Sequence, residues 1–360
     1  MNIAYLPFKL LKTKKRVVMM SRQSNEINDD FRLLGTELEK KGYEVKYLCR
    51  TLDGGVNSTL FTKIGYGFHM FTQMYYLATS EICVLDTYCL VVSILKHKKN
   101  LKVAQIWHSI GTLKQFGWQI LDRAEGSNPM IAKTMKMHEN YDVVYCAGEA
   151  YKEVLAEGFN MSPSKFHVCT LPRIDLLFDE KYQNDTKEKI YKKYPVLKEK
   201  PNVVYAPTFR KDETEFNKYF NELVNVFDFN KYNLIVKLHP LSKVAVNDSR
   251  VVFDTDFSTF QMISVADKFI SDYSCVVYEA GVKNIPLYFY NYDMEIYEDV
   301  RSLTINYNDL PGFKEKEAKA LIESLEKPYD YDYLKRYINK YVENTTDCAK
   351  KMAEDIITKK

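Results

Sequence analysis

Short apolar runs alternate with amphipathic stretches along most of this chain, and that alternation constrains its fold more than any other feature. "RVVMM" (16–20) reads as a strand, "NDDFRLLGTELEKKG" (28–42) as a helix capped by Asn28 and stopped by Gly42, and "YEVKYLC" (43–49) as the next strand. "EICVLDT" (81–87), "KVAQIWH" (102–108), "YDVVYCAG" (141–148) and 166–170 continue the strand series, with a helix at 149–157. The rhythm lapses over the charged stretch 176–201 and then restarts. "NVVYAPTF" (202–209), "YNLIVKLHP" (232–240), "RVVF" (250–253), "KFISD" (268–272) and "IPLYFY" (285–290) read as strands. Helices are expected at 213–227, 274–283, 315–326 and 331–358. Strands separated by helices imply an α/β fold with largely parallel sheets.

The lapse divides the chain. The expected organisation is a basic and apolar segment (1–15), a Rossmann-like domain (16–175), a linker (176–201), a second Rossmann-like domain (202–330) and a C-terminal helix (331–360). Two such domains with a cleft between them and C-terminal helices follow the GT-B plan. A length of 360 residues, 46% of them apolar, is enough for two cores. The net charge of +3 makes no case for nucleic acid. Seven scattered cysteines with no C-x-x-C pair argue against a disulfide framework and a zinc site, and for a reducing compartment. No secretory signal is read. No run of about 18 apolar residues occurs, so no transmembrane helix is expected. The nearest approach, 69–95, is interrupted by Glu81 and Asp86.

Charge placement says more than net charge. The first 25 residues hold Lys9, Lys12, Lys14, Lys15, Arg16 and Arg22 and no acidic side chain. Leu6, Phe8, Leu10 and Leu11 lie among them. Basic and apolar residues together suit an anionic membrane surface. The alternative is a solvated segment leading into the first strand. Residues 68–95 offer a second contact, or simply core.

In open α/β sheets ligands bind outside the carboxyl ends of the strands. Five expected strand ends carry histidines, cations or hydroxyls. They are His108 followed by "SIGTLKQFG" with Lys114, Thr208 with Arg210, Lys237 with His239, "SDYS" (Ser271, Asp272, Tyr273, Ser274), and Arg173 with Asp175. Turn residues alone would not favour this chemistry, which fits phosphorylated ligands. Ser274 and Cys275 open a helix whose unpaired amides suit a pyrophosphate. Ser271 and Ser274 add hydroxyls, Asp272 is expected to hold the turn or a neighbouring cation, and Glu279 to accept from a ribose. The plainer alternative makes Ser271 or Ser274 only a helix cap. His108 and His239 each follow an apolar strand; the other four histidines lack that placement. No Walker A, G-x-S-x-G, H-E-x-x-H or G-x-G-x-x-G pattern stands in convincing context.

"QIWHSIGTLKQFG", "LPRID", "YAPTFR", "KLHP" and "ISDYSCVVYEAGVKNIPLYFYNYD", in that order, resemble the motif series of the CDP-glycerol glycerophosphotransferases of teichoic acid synthesis. These are GT-B enzymes of the inner membrane face. The match runs roughly from residue 14 to 300. Ser-Ile-Gly-Thr-Leu-Lys after His108 looks more like the short primase-type members than the polymerases. Cys275 stands for the second serine of the usual pair, and Glu279 for the usual aspartate. The resemblance implies transfer of a polyol phosphate, glycerol phosphate first and ribitol phosphate second, from a CDP-activated donor. The acceptor would be a hydroxyl of a lipid-linked saccharide or polyol phosphate, and CMP would leave. It implies His108 as general base and His239 as the second catalytic histidine. Thr208, Arg210, Lys237, Ser271, Asp272, Ser274 and Glu279 would serve the donor, and Lys114 and Arg173 the acceptor. No metal or cofactor is expected, and a peripheral location on the cytoplasmic face of the membrane is. A nucleotide-sugar GT-B glycosyltransferase is the enzymatic alternative, and a membrane-surface scaffold that has lost catalysis the other.

Overall fold

The computed structural model describes residues 1–51, 59–123, 126–210, 212–239 and 242–358. Contacts divide it into two units, each built on one sheet. The first comprises Met1–Ser109, Phe116–Asp175 and Glu343–Lys360, the second Ile110–Gln115 and Leu176–Val342.

The first unit holds β1 (Lys14–Ser21), β2 (Glu44–Cys49), β3 (Ser80–Leu85), β4 (Lys102–Gln105), β5 (Val143–Cys146) and β6 (Phe166–Val168). They form a six-stranded sheet in the order β2-β1-β3-β4-β5-β6, every pair parallel. β1 is buried continuously from Arg16 to Ser21, as a strand covered on both faces must be. The chain order reverses between β1 and β3, so the crevice for a ligand opens at the carboxyl ends of those two strands. The helix Asp29–Lys40 follows β1. Asn28 caps it by accepting from the Phe31 amide at 2.8 Å, and Phe31, Leu34 and Leu38 form its buried stripe.

The second unit holds β7 (Asn202–Tyr205), β8 (Asn233–Val236), β9 (Val251–Phe253), β10 (Lys268–Ser271), β11 (Leu287–Tyr290) and β12 (Phe313–Glu315). Its sheet runs β12-β11-β10-β7-β8-β9, again wholly parallel. This is the doubly wound order with its reversal between β7 and β10. The helix Thr214–Val226 places Phe216, Phe220, Leu223 and Val224 on one face, and the Phe216 and Phe220 rings stack against Tyr205 in the core.

Several local expectations are revised. β4 stops at Gln105 rather than at His108. The Gln105 side chain accepts from the Trp107 amide at 2.9 Å, and Trp107 turns to φ 62°, a left-handed corner that no strand continues through. Residues Asn2–Lys9 form a helix with Pro7 inside it. Arg16 leaves the basic cluster altogether. It is 4% exposed and pairs with Glu44 at 2.8 Å. The expected C-terminal helix is two, Tyr331–Tyr341 and Cys348–Thr358. Over 176–201 the chain forms the helix Glu180–Lys193 and is counted with the second unit. β12 was not foreseen, because "FKE" has neither an apolar run nor alternation. Among the described residues no helix is long and apolar enough to cross a membrane.

Candidate functional site

The second unit gathers its polar residues where β7 and β10 end. The Ser271 hydroxyl, fully buried, donates to the Ala206 carbonyl at 2.7 Å and ties the two strand ends together. Asp272, also fully buried, accepts from the Thr208 amide with both oxygens, at 2.9 and 3.0 Å, and from the Tyr273 amide at 2.5 Å. Arg210 completes the knot. Its Nη1 donates to Asp272 at 2.8 Å, and its Nε and Nη2 form a two-pronged pair with Asp293 at 2.6 and 3.0 Å. The rings of Tyr273, Tyr292 and Tyr297 surround the guanidinium at 5.3 to 5.9 Å. Burial works against the Arg210 charge, but the Asp272 and Asp293 carboxylates outweigh it and raise its pKa. So Arg210, expected at the phosphates, is spent on two carboxylates and braces the Thr208 loop.

Lys237 is spent in the same way. It is 6% exposed, and its ammonium donates to the Asp254 carboxylate at 2.6 Å and carbonyl at 2.7 Å. Glu279 is buried within the helix Val276–Val282. That helix is capped by Cys275 without a side-chain bond, so Ser274 is not its cap; Ser274 and Cys275 are half-buried in the turn before it. His239 is exposed beside Phe209, ring centroids 5.4 Å apart. Thr208, Phe209, Arg210, Glu213, His239 and Ser242 line one narrow crevice. Burial lowers the His239 pKa, and the charge of Lys114 lowers it further. Lys114 therefore belongs here. Its segment bridges to Leu303, and the Gln115 amide donates to the Ser302 carbonyl at 3.2 Å. Pro240 lies outside the described residues.

The first unit assembles around His108. Nδ1 lies 3.1 Å from the Asp86 carbonyl, which only accepts, so the proton sits on Nδ1 and Nε2 carries the lone pair. The residue is exposed by area, yet it is packed against the Trp107 ring (centroids 4.2 Å), and burial lowers its pKa. Asp86 follows β3 at the switch point. Burial pushes its carboxyl up to about 6, against hydrogen bonds from Ser21, Thr87 and Asn28. Arg173, expected to meet the acceptor, donates to the Asp30 carboxylate at 2.5 Å and to the His108 carbonyl at 3.1 Å.

Asp30, Asp86, Asp254 and Asp293 were all missed. Asp86 and Asp293 follow strands as Asp272 does, so the strand-end rule applied to acids would have found them. Asp254 directly follows β9 and falls under the same rule; nothing local marks Asp30. Among the described residues no group of three or more histidine, cysteine or acidic side chains gathers as a metal cage would require.

Two parallel Rossmann-like sheets, each with polar groups at its carboxyl edge, define a GT-B-like α/β protein. The chain belongs to the CDP-glycerol:poly(glycerophosphate) glycerophosphotransferase family, whose model matches residues 3–355. It is 27% identical over 330 residues to a teichoic acid ribitol-phosphate primase of Bacillus spizizenii, covering 88% of this chain and 83% of the relative. To a teichoic acid glycerol-phosphate primase of Bacillus subtilis it is 27% identical over 283 residues, covering 76% and 72%. A structure of the wall teichoic acid polymerase TagF superposes with a TM-score of 0.74 at 17% identity, covering 99% of this chain and 92% of that one. A UDP-GlcNAc 2-epimerase from Neisseria meningitidis reaches 0.59 at 13% identity, covering 97% and 100%. At these identities the two structures speak for the fold alone.

Proposed function

We propose that this protein transfers a polyol phosphate from a CDP-activated donor to a hydroxyl of a lipid-linked acceptor in teichoic acid or related polymer synthesis. The observation that carries the reading is a family match over residues 3–355 in a chain whose strand ends hold His108, Thr208, His239 and the Ser271–Ser274 turn. The second unit binds the donor, with Thr208, His239 and Ser274 offered to the CDP. Arg210, Asp272 and Lys237 shape that surface from behind. In the first unit His108 takes the proton from the acceptor hydroxyl as its oxygen attacks the polyol-bearing phosphorus. The bond to CMP breaks, and CMP leaves as the phosphomonoester. Glycerol phosphate is the group named by the family and ribitol phosphate the second candidate, since primases of both kinds are relatives. Incubation with CDP-glycerol, CDP-ribitol and UDP-sugars plus a synthetic lipid-linked acceptor tests this. Release of CMP is expected; release of UDP alone would make the protein a glycosyltransferase. The proposal includes no metal, so CMP release should survive EDTA; a rate that collapses and returns with magnesium refutes that part.

The reading also includes docking on the cytoplasmic membrane surface. The helix Asn2–Lys9 packs on the helix Leu60–Thr79, where Phe8 meets Tyr75 edge-on at 6.5 Å. The pair leaves large apolar side chains in solvent: Ile3 is 85% exposed, Leu10 89%, Leu60 71% and Phe68 70%, joined by Leu6, Ile64 and Phe71. Lys12, Lys14 and Lys15 are exposed close by in sequence. Such a surface matches an anionic bilayer in both its apolar and its charged parts.

A further inference from the structure

The first unit holds His108 at two points, and both trace to the first turn of one helix. The ring is held by the Asp86 carbonyl, and the backbone by Arg173, whose Nη2 donates to the His108 carbonyl at 3.1 Å. Behind these partners stand Asn28 and Asp30. Asn28 donates its side-chain amide to the Asp86 carboxylate at 2.9 Å while capping the helix Asp29–Lys40. Asp30 accepts from the Arg173 amide with one oxygen at 2.8 Å and from the Arg173 guanidinium with the other at 2.5 Å. Asp30 is only 4% exposed. The cap is already supplied by Asn28, and an acidic residue in a first turn needs no burial to favour the helix dipole. A buried carboxylate with both oxygens given to one arginine is costly unless fully paired.

We propose that Asp30 is a positioning residue for His108 in the proposed transfer reaction, acting through Arg173. Asp30 fixes the Arg173 fork in one orientation. Arg173 then fixes the His108 carbonyl, and with it the left-handed corner at Trp107 that aims the ring. Nothing on β4 itself would do so, because the strand has ended at Gln105. The inference rests on His108 being the general base. Among the described residues the charges acting on the imidazole are Arg173 and Asp30, while Asp86 meets it through its backbone carbonyl. The Arg173 cation disfavours the imidazolium and the Asp30 carboxylate favours it. Replacing Asp30 by asparagine removes the second influence and leaves the first, so His108 should then lose its proton at lower pH.

The test is steady-state CMP release with the CDP-polyol that the wild-type protein turns over, in Asp30→Asn, Arg173→Lys and His108→Ala, with thermal melts of each. Asp30→Asn is expected to lower kcat by about 10- to 100-fold, as a small misplacement does, with donor KM changed less than about threefold. The acid limb of its pH profile should move to lower pH. Arg173→Lys keeps a charge for Asp30 but loses the fork to the His108 carbonyl. It should show a similar loss of kcat, and it carries the test should Asp30→Asn fail to fold. A lowered melting temperature with kcat and acid limb unmoved would make Asp30 merely structural and overturn the proposal. Wild-type rates in both variants beside a dead His108→Ala would overturn the positioning role alone. An active His108→Ala would overturn the base reading and the positioning role together.

Discussion

His108 and His239 look alike in the sequence and differ in their surroundings. The first is oriented by a backbone carbonyl and an arginine-held backbone; the second is an exposed ring on a crevice with Lys114 acting on it. Their replacement should separate two roles. His108→Ala should reduce turnover by about 10²- to 10⁴-fold, the usual worth of a general base, and leave CDP-polyol affinity nearly intact. His239→Ala should weaken donor binding as well as turnover. Calorimetry with the donor checks this, and equal losses of affinity in the two variants would dissolve the division. The pH dependence has a definite sign. A base works unprotonated, and burial lowers the His108 pKa, so the acid limb of kcat/KM should fall below the ordinary histidine value of about 6.5. A limb at pH 7 or above would contradict it.

At the scale of elements, the site depends on turns that only certain backbones make. The left-handed corner at Trp107 was invisible in "KVAQIWH", which reads as an unbroken strand because its apolar residues continue past the point where Gln105 folds back. The turn into β12 is the clearest case of a glycine requirement. Gly312 sits at φ 108°, and a side chain there would run into the Leu287 carbonyl of the neighbouring strand. Backbone cannot yield as a side-chain tip can. Gly312→Ala should therefore destabilise the protein by at least about 1–3 kcal/mol, the usual cost of a residue held in such a conformation. Denaturant unfolding measures it, and an unchanged midpoint would show that β12 is not fixed by this turn. The helix after β1 was legible for the opposite reason. Asn28 and the Phe31, Leu34, Leu38 stripe satisfy cap and burial locally, so the expected span 28–42 and the observed Asp29–Lys40 nearly coincide.

For the molecule as a whole, the proposed lipid-linked acceptor and the apolar helix pair make one prediction. Binding to anionic vesicles should weaken as salt rises. Each basic residue near such a surface contributes about 1 kcal/mol, and the attraction fades within a Debye length of roughly 10 Å at 0.1 M salt. Neutralising Lys9, Lys12, Lys14 and Lys15 should reduce binding further. Arg16→Gln should not act through the membrane at all, because its guanidinium is buried against Glu44. Replacing Ile3, Leu10 and Phe68 by serine should remove the part that resists salt. Vesicle sedimentation decides: equal binding to neutral and anionic lipid, indifferent to salt and to these changes, would rule the surface out.

The sequence by itself determined the two parallel α/β units and the strand ends at which polar chemistry collects. Both follow from periodicity and from the rule that strands present their carboxyl ends to ligands, and neither needs a contact between distant residues. The order of motifs likewise carried the family. Only the tertiary structure decided which of those polar groups remain available. Arg210 and Lys237 read as phosphate ligands until Asp272, Asp293 and Asp254 were placed beside them, and Arg173 read as an acceptor contact until Asp30 was. The partner positions lie 17 to 143 residues away along the chain. A buried cation must find its carboxylate wherever the fold brings one, and no local pattern records which carboxylate that will be.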